Sequence, residues 1–363
     1  SNYKLFSLGF FEMGAARDSS FVWLCVWTVN NVSVTLLNKI CFSMVDFQYP
    51  YFLSFVHMAC NSLGSQYVFW RIKQDDKFGT ESAIQKWLGY LVRKDLDKKG
   101  TMHIRLFSIV FSLNIAIGNV SLRHVSVNFN QVMRSLVPVV TILMGIIVGR
   151  KFTWRRILSV GPIVVGVAMA CYGDMSFSKI GFLYTIICVV IAAVKVTAAG
   201  EMLTGPLKLH PVDLLCHLAP LAMIQCISIS FATGEVHSIL QRPELYLTDI
   251  RPMAVVLLSG IFSFSLNITS LMANKLTSPL TLTIAGNVKQ VLMIVLSTIM
   301  FSTTITPMNG IGIIVVLIGS TIYSVISIQE RNESKPTLEP IPSSSVSLED
   351  ITELDDDRVV EPS

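Results

Sequence analysis

Residues 130–167 read NQVMRSLVPVVTILMGIIVGRKFTWRRILSVGPIVVGV, and residues 286–319 read GNVKQVLMIVLSTIMFSTTITPMNGIGIIVVLIG. Both place an Asn shortly before a basic residue, then an apolar run, a polar turn, and a second run rich in Gly, Val and Ile. Apolar runs of this kind suit a hydrocarbon layer, which takes roughly 20 residues of helix to cross. The likeness between the two hairpins predicts an internal repeat. Five helices per repeat is an odd number, so the copies must lie in opposite orientations. Inverted repeats place a site between the halves, where it opens to either side in turn.

The same texture extends outward over most of the chain. Of 363 residues, 52% are hydrophobic and 14% are charged, whereas soluble domains carry about 25% charged residues. Lipid must cover part of so much apolar surface. The pattern predicts an all-α membrane protein with ten spans, at about 20–41, 50–70, 105–121, 125–148, 157–173, 180–203, 211–232, 253–274, 278–301 and 307–328. The chain then divides into a segment 1–19, a first five-helix half 20–173 with a loop 71–104, a second half 174–330, and an acidic tail 331–363.

Charge gives the orientation. Loops on one side carry Arg71, Lys73, Lys77, Lys86, Arg93, Lys94, Lys98, Lys99, Arg105, Arg150, Lys151, Arg155, Arg156, Lys208 and Lys275; the other side carries only Arg123, Lys179, Arg242 and Arg251. The basic side is the cytosolic one, which puts the N-terminal segment and the tail in the cytosol. Trp87, Leu88, Leu91 and Val92 in the long loop suggest a short interfacial helix. The tail, ending SLEDITELDDDRVVEPS, has too little apolar surface to fold and is expected to be disordered.

Function classes narrow in turn. A net charge of +4 dispersed between apolar runs does not suggest nucleic-acid binding. The Cys residues are scattered singly, with no CxxC pair and no Cys/His metal spacing, so they read as small apolar residues and no metal site is expected. No P-loop, GxGxxG or nucleophile motif stands out, so neither an enzyme nor an ATP motor is indicated and no cofactor is expected. Glu235, Glu244 and Asp249, with His237, are too spread along one loop to suggest a membrane transferase.

Intramembrane charge is the informative feature, because a cation at a helix centre costs roughly 2.5–3.5 kcal/mol and usually faces a polar cavity. Arg134, Lys195 and Lys289 are such cations. Structural ion pairing is the competing reading, but Glu201 is the one acid nearby in the spans. Asn130 and Gln131 share the helical face of Arg134, and Gly286 and Asn287 precede Lys289. Lys39 with Asn38 lies near the non-cytosolic end of the first span, where snorkelling competes with a binding role. Trp27, Tyr49, Tyr51 and Trp70 fit an interfacial aromatic belt better than a base-stacking site. Sequons at Asn31, Asn119 and Asn267 fall inside spans and should not be glycosylated. Excess positive charge in a buried cavity predicts an anionic solute, which Arg grips bidentately and Lys as a point charge. The remaining partner is membrane lipid. Gly and Ala contacts serve packing within the chain or a homodimer equally.

The strings LLNKICFSMVDFQYPYFLSFVHM (36–58), NVSLRHVSVNFNQVMRSLVPVVTIL (119–143) and LTSPLTLTIAGNVKQVLMIVLSTIMF (276–301) resemble the triose-phosphate translocator branch of the drug/metabolite transporter superfamily, which includes nucleotide-sugar transporters. The resemblance spans about 20–328 and implies ten helices, two inverted halves, a central cavity and exchange transport. Plastid phosphate translocators typically have Lys-Arg where this chain has Lys289-Gln290, and a basic residue near the position of Glu201. Gly286-Asn287-Val288-Lys289 looks like the Gly-Asn-x-Lys motif of nucleotide-sugar members. The resemblance therefore implies a Golgi or ER carrier exchanging a nucleotide sugar for a nucleoside monophosphate. The alternatives are a sugar-phosphate/phosphate translocator of a plastid inner envelope, and a membrane regulator or scaffold acting through its tail. No Arg- and Ser-rich transit segment is read before residue 20, which favours the endomembrane reading.

Overall fold

In a computed structural model the chain is described over residues 2–79, 82, 84–85, 91–173, 178–204, 209–243, 249–276 and 279–333. Its regular elements there are helices: α1 (Asn2–Ser43), α2 (Pro50–Lys77), α3 (Lys98–His124), α4 (Val127–Arg134), α5 (Val137–Ile147), α6 (Trp154–Ser159), α7 (Gly161–Tyr172), α8 (Lys179–Thr204), α9 (Pro211–Ala232), α10 (Glu235–Leu240), α11 (Arg251–Leu276), α12 (Pro279–Phe301) and α13 (Pro307–Glu333). Among the described residues, nine stretches are long and apolar enough to cross a membrane. The 28-residue α2 is not one of them; it carries His57, Asn61 and a charged last turn.

Several helices outrun the expected apolar limits. α2 continues to Lys77 and α3 starts at Lys98, so Arg71, Lys73, Lys98 and Lys99 sit on helix ends and not in a loop. Asp97 caps α3 by accepting from the Gly100 N–H at 2.7 Å. Trp87 and Leu88, read as part of an interfacial helix, lie outside the described residues. Leu91 corrects that reading. It sits on non-helical chain and is buried with Val68, Ile72 and Val212, between α2 and α9. The acidic tail also lies outside the described residues, apart from the end of α13.

Two expected spans are interrupted. The fourth breaks between Arg134 and Val137, where Pro138 cannot donate to the preceding turn. The fifth breaks at Val160, ahead of Pro162. The first break ends a helix on a cation, which a continuous helix would not do.

The helices pack in a definite order: α1 on α11, α2 on α9, α3 on α8, α4 on α12 and α7 on α13. Counting α4/α5 and α6/α7 as one unit each, there are five units up to residue 173 and five after it, α10 being a short extra turn. Exchanging unit one for six, two for seven and so on maps this set of pairs onto itself. The α7–α13 contact needs glycine. A Cβ on Gly166 would lie 2.8 Å from the Gly312 carbonyl and 2.7 Å from the Val316 nitrogen. Such backbone approach is how membrane helices gain packing energy without a hydrophobic drive between them.

Candidate functional site

Alternate hydrogen-bonding side chains from α1, α2, α3 and α11 line a cavity of about 220 Å³ in the middle of the bundle. Asn31, Asn38, His57, Asn114, Asn119, Ser263 and Asn267 face it, with Asn130, Gln131 and Arg134 from α4 and Lys195 from α8. The amides are held by each other. Asn38 donates to the Asn119 side chain at 3.0 Å and accepts from Ser259, which also bonds the His57 ring at 2.8 Å. Asn119 donates to Ser54 at 2.9 Å, and Asn267 to Asn61 at 2.6 Å. A network of this kind fixes the wall while leaving lone pairs and N–H groups for a solute.

The cations gather at this cavity. Arg134 ends α4, and Gly118 makes room for it: a Cβ there would lie 3.0 Å from the guanidinium Nη2. Among the described residues its guanidinium meets the Cys188 sulfur at 4.0 Å. The Lys195 ammonium lies 5.2 Å from the centre of the Phe111 ring. The Lys289 ammonium lies 3.4 Å from the Asn31 carbonyl oxygen and 5.3 Å from the centre of the Trp27 ring. Arg134 is near enough to repel both lysines. Among the described residues, none of the three cations has a carboxylate within ion-pair distance. The Glu201 side chain, the expected neutraliser, lies outside the described residues.

The sequence-derived candidates divide. Arg134, Lys195, Asn130, Gln131 and Asn38 line the cavity, and Lys289 reaches its wall at Asn31. Lys39 does not join them. Its ammonium donates to the carbonyls of Leu122 at 3.0 Å and Val125 at 2.7 Å, at the C-terminal end of α3, which satisfies exposed carbonyls there. Asn287 turns the other way and donates to Thr321 at 2.7 Å. Among the described residues, nothing lies within 4 Å of the place where a Gly286 side chain would stand. Trp27, read as part of an aromatic belt, instead faces Lys289.

Asn31, His57, Asn119, Ser263 and Asn267 are wall residues that the sequence reading did not select. Asn31, Asn119 and Asn267 read only as sequons in the sequence, and His57 and Ser263 carry no motif. An amide or imidazole within an apolar run was the available signal, since buried polar groups must find partners. Elsewhere the acids do structural work. The Glu235 carboxylate on α10 accepts from the Phe52 N–H at 2.8 Å and the Tyr51 N–H at 3.3 Å, closing the start of α2, where Tyr49 supplies no side-chain cap. Burial raises its pKa above the ordinary value, against the pull of those N–H groups. Asp249 pairs with Arg251 at 2.9 Å. Among the described residues no group of His, Cys, Asp and Glu is placed to hold a metal.

A sequence profile described as the Triose-phosphate Transporter family matches residues 20–324. GDP-mannose transporter GONST5 of Arabidopsis thaliana is 28% identical over 308 residues, covering 85% of this chain and 85% of its own length. UDP-galactose transporter 1 of the same plant is 28% identical, covering 85% and 87%. A probable sugar phosphate/phosphate translocator, also from Arabidopsis thaliana, is 30% identical over 320 residues, covering 86% and 81%.

Proposed function

The chain belongs to the Triose-phosphate Transporter family, a family of transporters and not of enzymes, and from that premise we propose that it exchanges a nucleotide sugar for a nucleoside monophosphate. The observation that carries this reading is that Arg134 and Lys195 line one cavity and Lys289 reaches Asn31 of its wall, with no carboxylate at ion-pair distance from any of the three among the described residues. Cations within the spans and without a carboxylate beside them among the described residues call for an anionic solute to neutralise them. The amides of Asn38, Asn119 and Asn267 offer donors and acceptors suited to a base or to sugar hydroxyls. Relatives named for GDP-mannose and UDP-galactose support the nucleotide-sugar side.

The transport cycle is alternating access. The pairing of helices, unchanged when the halves are exchanged, supports two inverted five-helix repeats with α2 as the tenth span. Two arrangements of such a bundle present one site to opposite faces. A cavity of about 220 Å³ is below the roughly 300–1,000 Å³ of ligand pockets, so binding requires it to widen. The break after Arg134 is where that widening is placed, because the chain there is held only by short-range bonds, Ser135 N–H to the Val132 carbonyl and Leu136 N–H to the Met133 carbonyl, and Pro138 adds no donor. The basic helix ends face the cytosol, both termini with them, in a Golgi or ER membrane.

The second reading is a sugar-phosphate/phosphate translocator, favoured by relatives of that description. Counterflow in proteoliposomes separates the two. Preloading with nucleoside monophosphate should accelerate nucleotide-sugar uptake, and inorganic phosphate should not. Acceleration by phosphate with sugar phosphate as the entering solute assigns the second reading. Equal uptake into empty vesicles counts against exchange.

A further inference from the structure

A larger hollow lies away from the central cations. It is a groove of about 950 Å³ between α2, α9 and the segment that includes Leu91, Val92 and Arg93, at the end of the bundle bearing the basic helix ends. Its α2 wall is one helical face: Gln66, Phe69, Trp70, Lys73 and Asp76 recur at spacings of three and four. That face is turned from the central site. The α2 residues that meet α11, Asn61 through Asn267 and Val68 through Phe264 and Ile268, lie on its other side.

Chemistry changes along the groove. From Gln66 to Asp76 the helix rises about 15 Å, passing from rings to charges. Trp70 is 53% exposed and Val92 52% exposed, and Cys216 and Pro220, one turn apart on α9, continue the less polar floor. Lys73 and Arg93 stand at the charged end with Asp76. Between residues 71 and 105 basic residues outnumber acidic ones, nine to five. A soluble anion would use the cations alone, and an apolar segment the rings alone. A molecule with an anionic head and an apolar tail uses both, and the surrounding membrane supplies it.

We propose that this groove is a site for one anionic phospholipid, with its phosphate at Lys73 and Arg93 and an acyl chain along Phe69, Trp70, Cys216 and Pro220. The site is independent of the transported solute. Because α2 and α9 are the paired second helices of the two halves, the lipid lies along the seam between them.

The test uses the purified full chain in neutral detergent, with native mass spectrometry and thermal shift. Phosphatidylserine should bind as one tightly held copy and raise the apparent melting temperature more than phosphatidylcholine does. Glycerophosphoserine, which has the head without chains, and a peptide of residues 334–363 should not reproduce the shift. Each basic side chain near an anionic lipid surface contributes about fivefold in affinity, so the double variant Lys73→Ala/Arg93→Ala should lose the preference by roughly twenty-five-fold. Both side chains are exposed, so the variant should remain monodisperse with unchanged helix content. Equal binding of the two lipids would overturn the proposal, as would a preference retained by a folded double variant. So would equal stabilisation by the chainless head or by the peptide, which would assign the groove to a soluble anion or to the tail.

Discussion

Gln290 donates from its side-chain amide to the Ser135 hydroxyl at 3.1 Å. The bond joins α12, one residue past Lys289, to the interruption that directly follows Arg134. Two of the three cations are thus set by one contact between equivalent units of the two halves. Asn128, bonded to Thr298 at 2.9 Å and to Ser297, repeats the link two turns away. These bonds tie the break after Arg134 to the turn of α12 that carries Lys289.

Gln290 is also where plastid phosphate translocators typically carry Arg. Gln290→Arg should add a fourth cation beside the break and favour small, highly charged anions over nucleotides. A charged hydrogen bond contributes about 1.5–3 kcal/mol, so competition by inorganic phosphate against a nucleoside monophosphate should rise by roughly tenfold to a hundredfold. An unchanged ratio in a folded variant would mean that position 290 does not set phosphate preference.

Gly312 offers a test of packing that is separate from the site. A Cβ there would meet the Gly166 carbonyl at 2.7 Å and crowd the Ala170 nitrogen. Gly312→Ala should force α7 and α13 apart and destabilise the fold by about 1–3 kcal/mol. Gly310→Ala is the control, since its nearest neighbour is the Ile305 Cγ2 at 3.7 Å. Thermal unfolding in detergent should lower the first variant and leave the second near the parent. Equal values for both would show that close contact at Gly312 is not needed.

Glu235 carries a pH dependence whose sign follows from its burial. Its native pKa is raised, so the native state holds the proton more tightly than the unfolded chain does. The corresponding stability is present below the ordinary carboxylate range and is lost as pH rises through the raised value. Glu235→Gln resembles the protonated form and should flatten that slope. Glu235→Ala leaves the Tyr51 and Phe52 N–H groups without their acceptor, at a cost of about 1–3 kcal/mol. Melting curves between pH 4 and pH 8, read as roughly the range over which such a carboxyl titrates, would expose a parent with no more slope than Glu235→Gln.

Much of this molecule was legible because a membrane makes polar residues rare. Arg134, Lys195 and Lys289 stood out against apolar runs, and the structure sets the first two on one cavity and the third against Asn31 of its wall. Direction was harder to read. Asn38 and Lys39 are neighbours in sequence, yet successive residues point about 100° apart on a helix. One therefore lines the cavity while the other closes the end of α3. Asn287 is two residues from Lys289, about 200° around the helix, so its turn toward Thr321 was implicit in the spacing. The break at Ser135 was hidden, because Pro138 within an apolar run also fits a kinked but continuous span. Asn31, His57 and Asn267 needed the packing of α1, α2 and α11 before they shared a wall.

Lys289 provides the most direct test of the transport reading. Its ammonium lies 3.4 Å from Asn31 and faces Trp27, contacts that are weak enough for a phosphate oxygen to replace. Lys289→Ala should leave expression, membrane insertion and helix content intact while affinity for nucleoside monophosphate, read by ligand-induced thermal shift, falls roughly tenfold to a hundredfold. Lys289→Arg keeps the charge but carries a planar fork in place of a point charge, so it should recover part of the binding at most. Asn31→Asp would place a carboxylate against the ammonium and compete with the ligand; it should weaken binding in the parent and have little effect on top of Lys289→Ala. If Lys289 served a structural ion pair, its replacement would instead cause misfolding, and removal of Glu201 would rescue it. A folded Lys289→Ala protein that binds every tested anion as tightly as the parent would put the phosphate site elsewhere in the bundle.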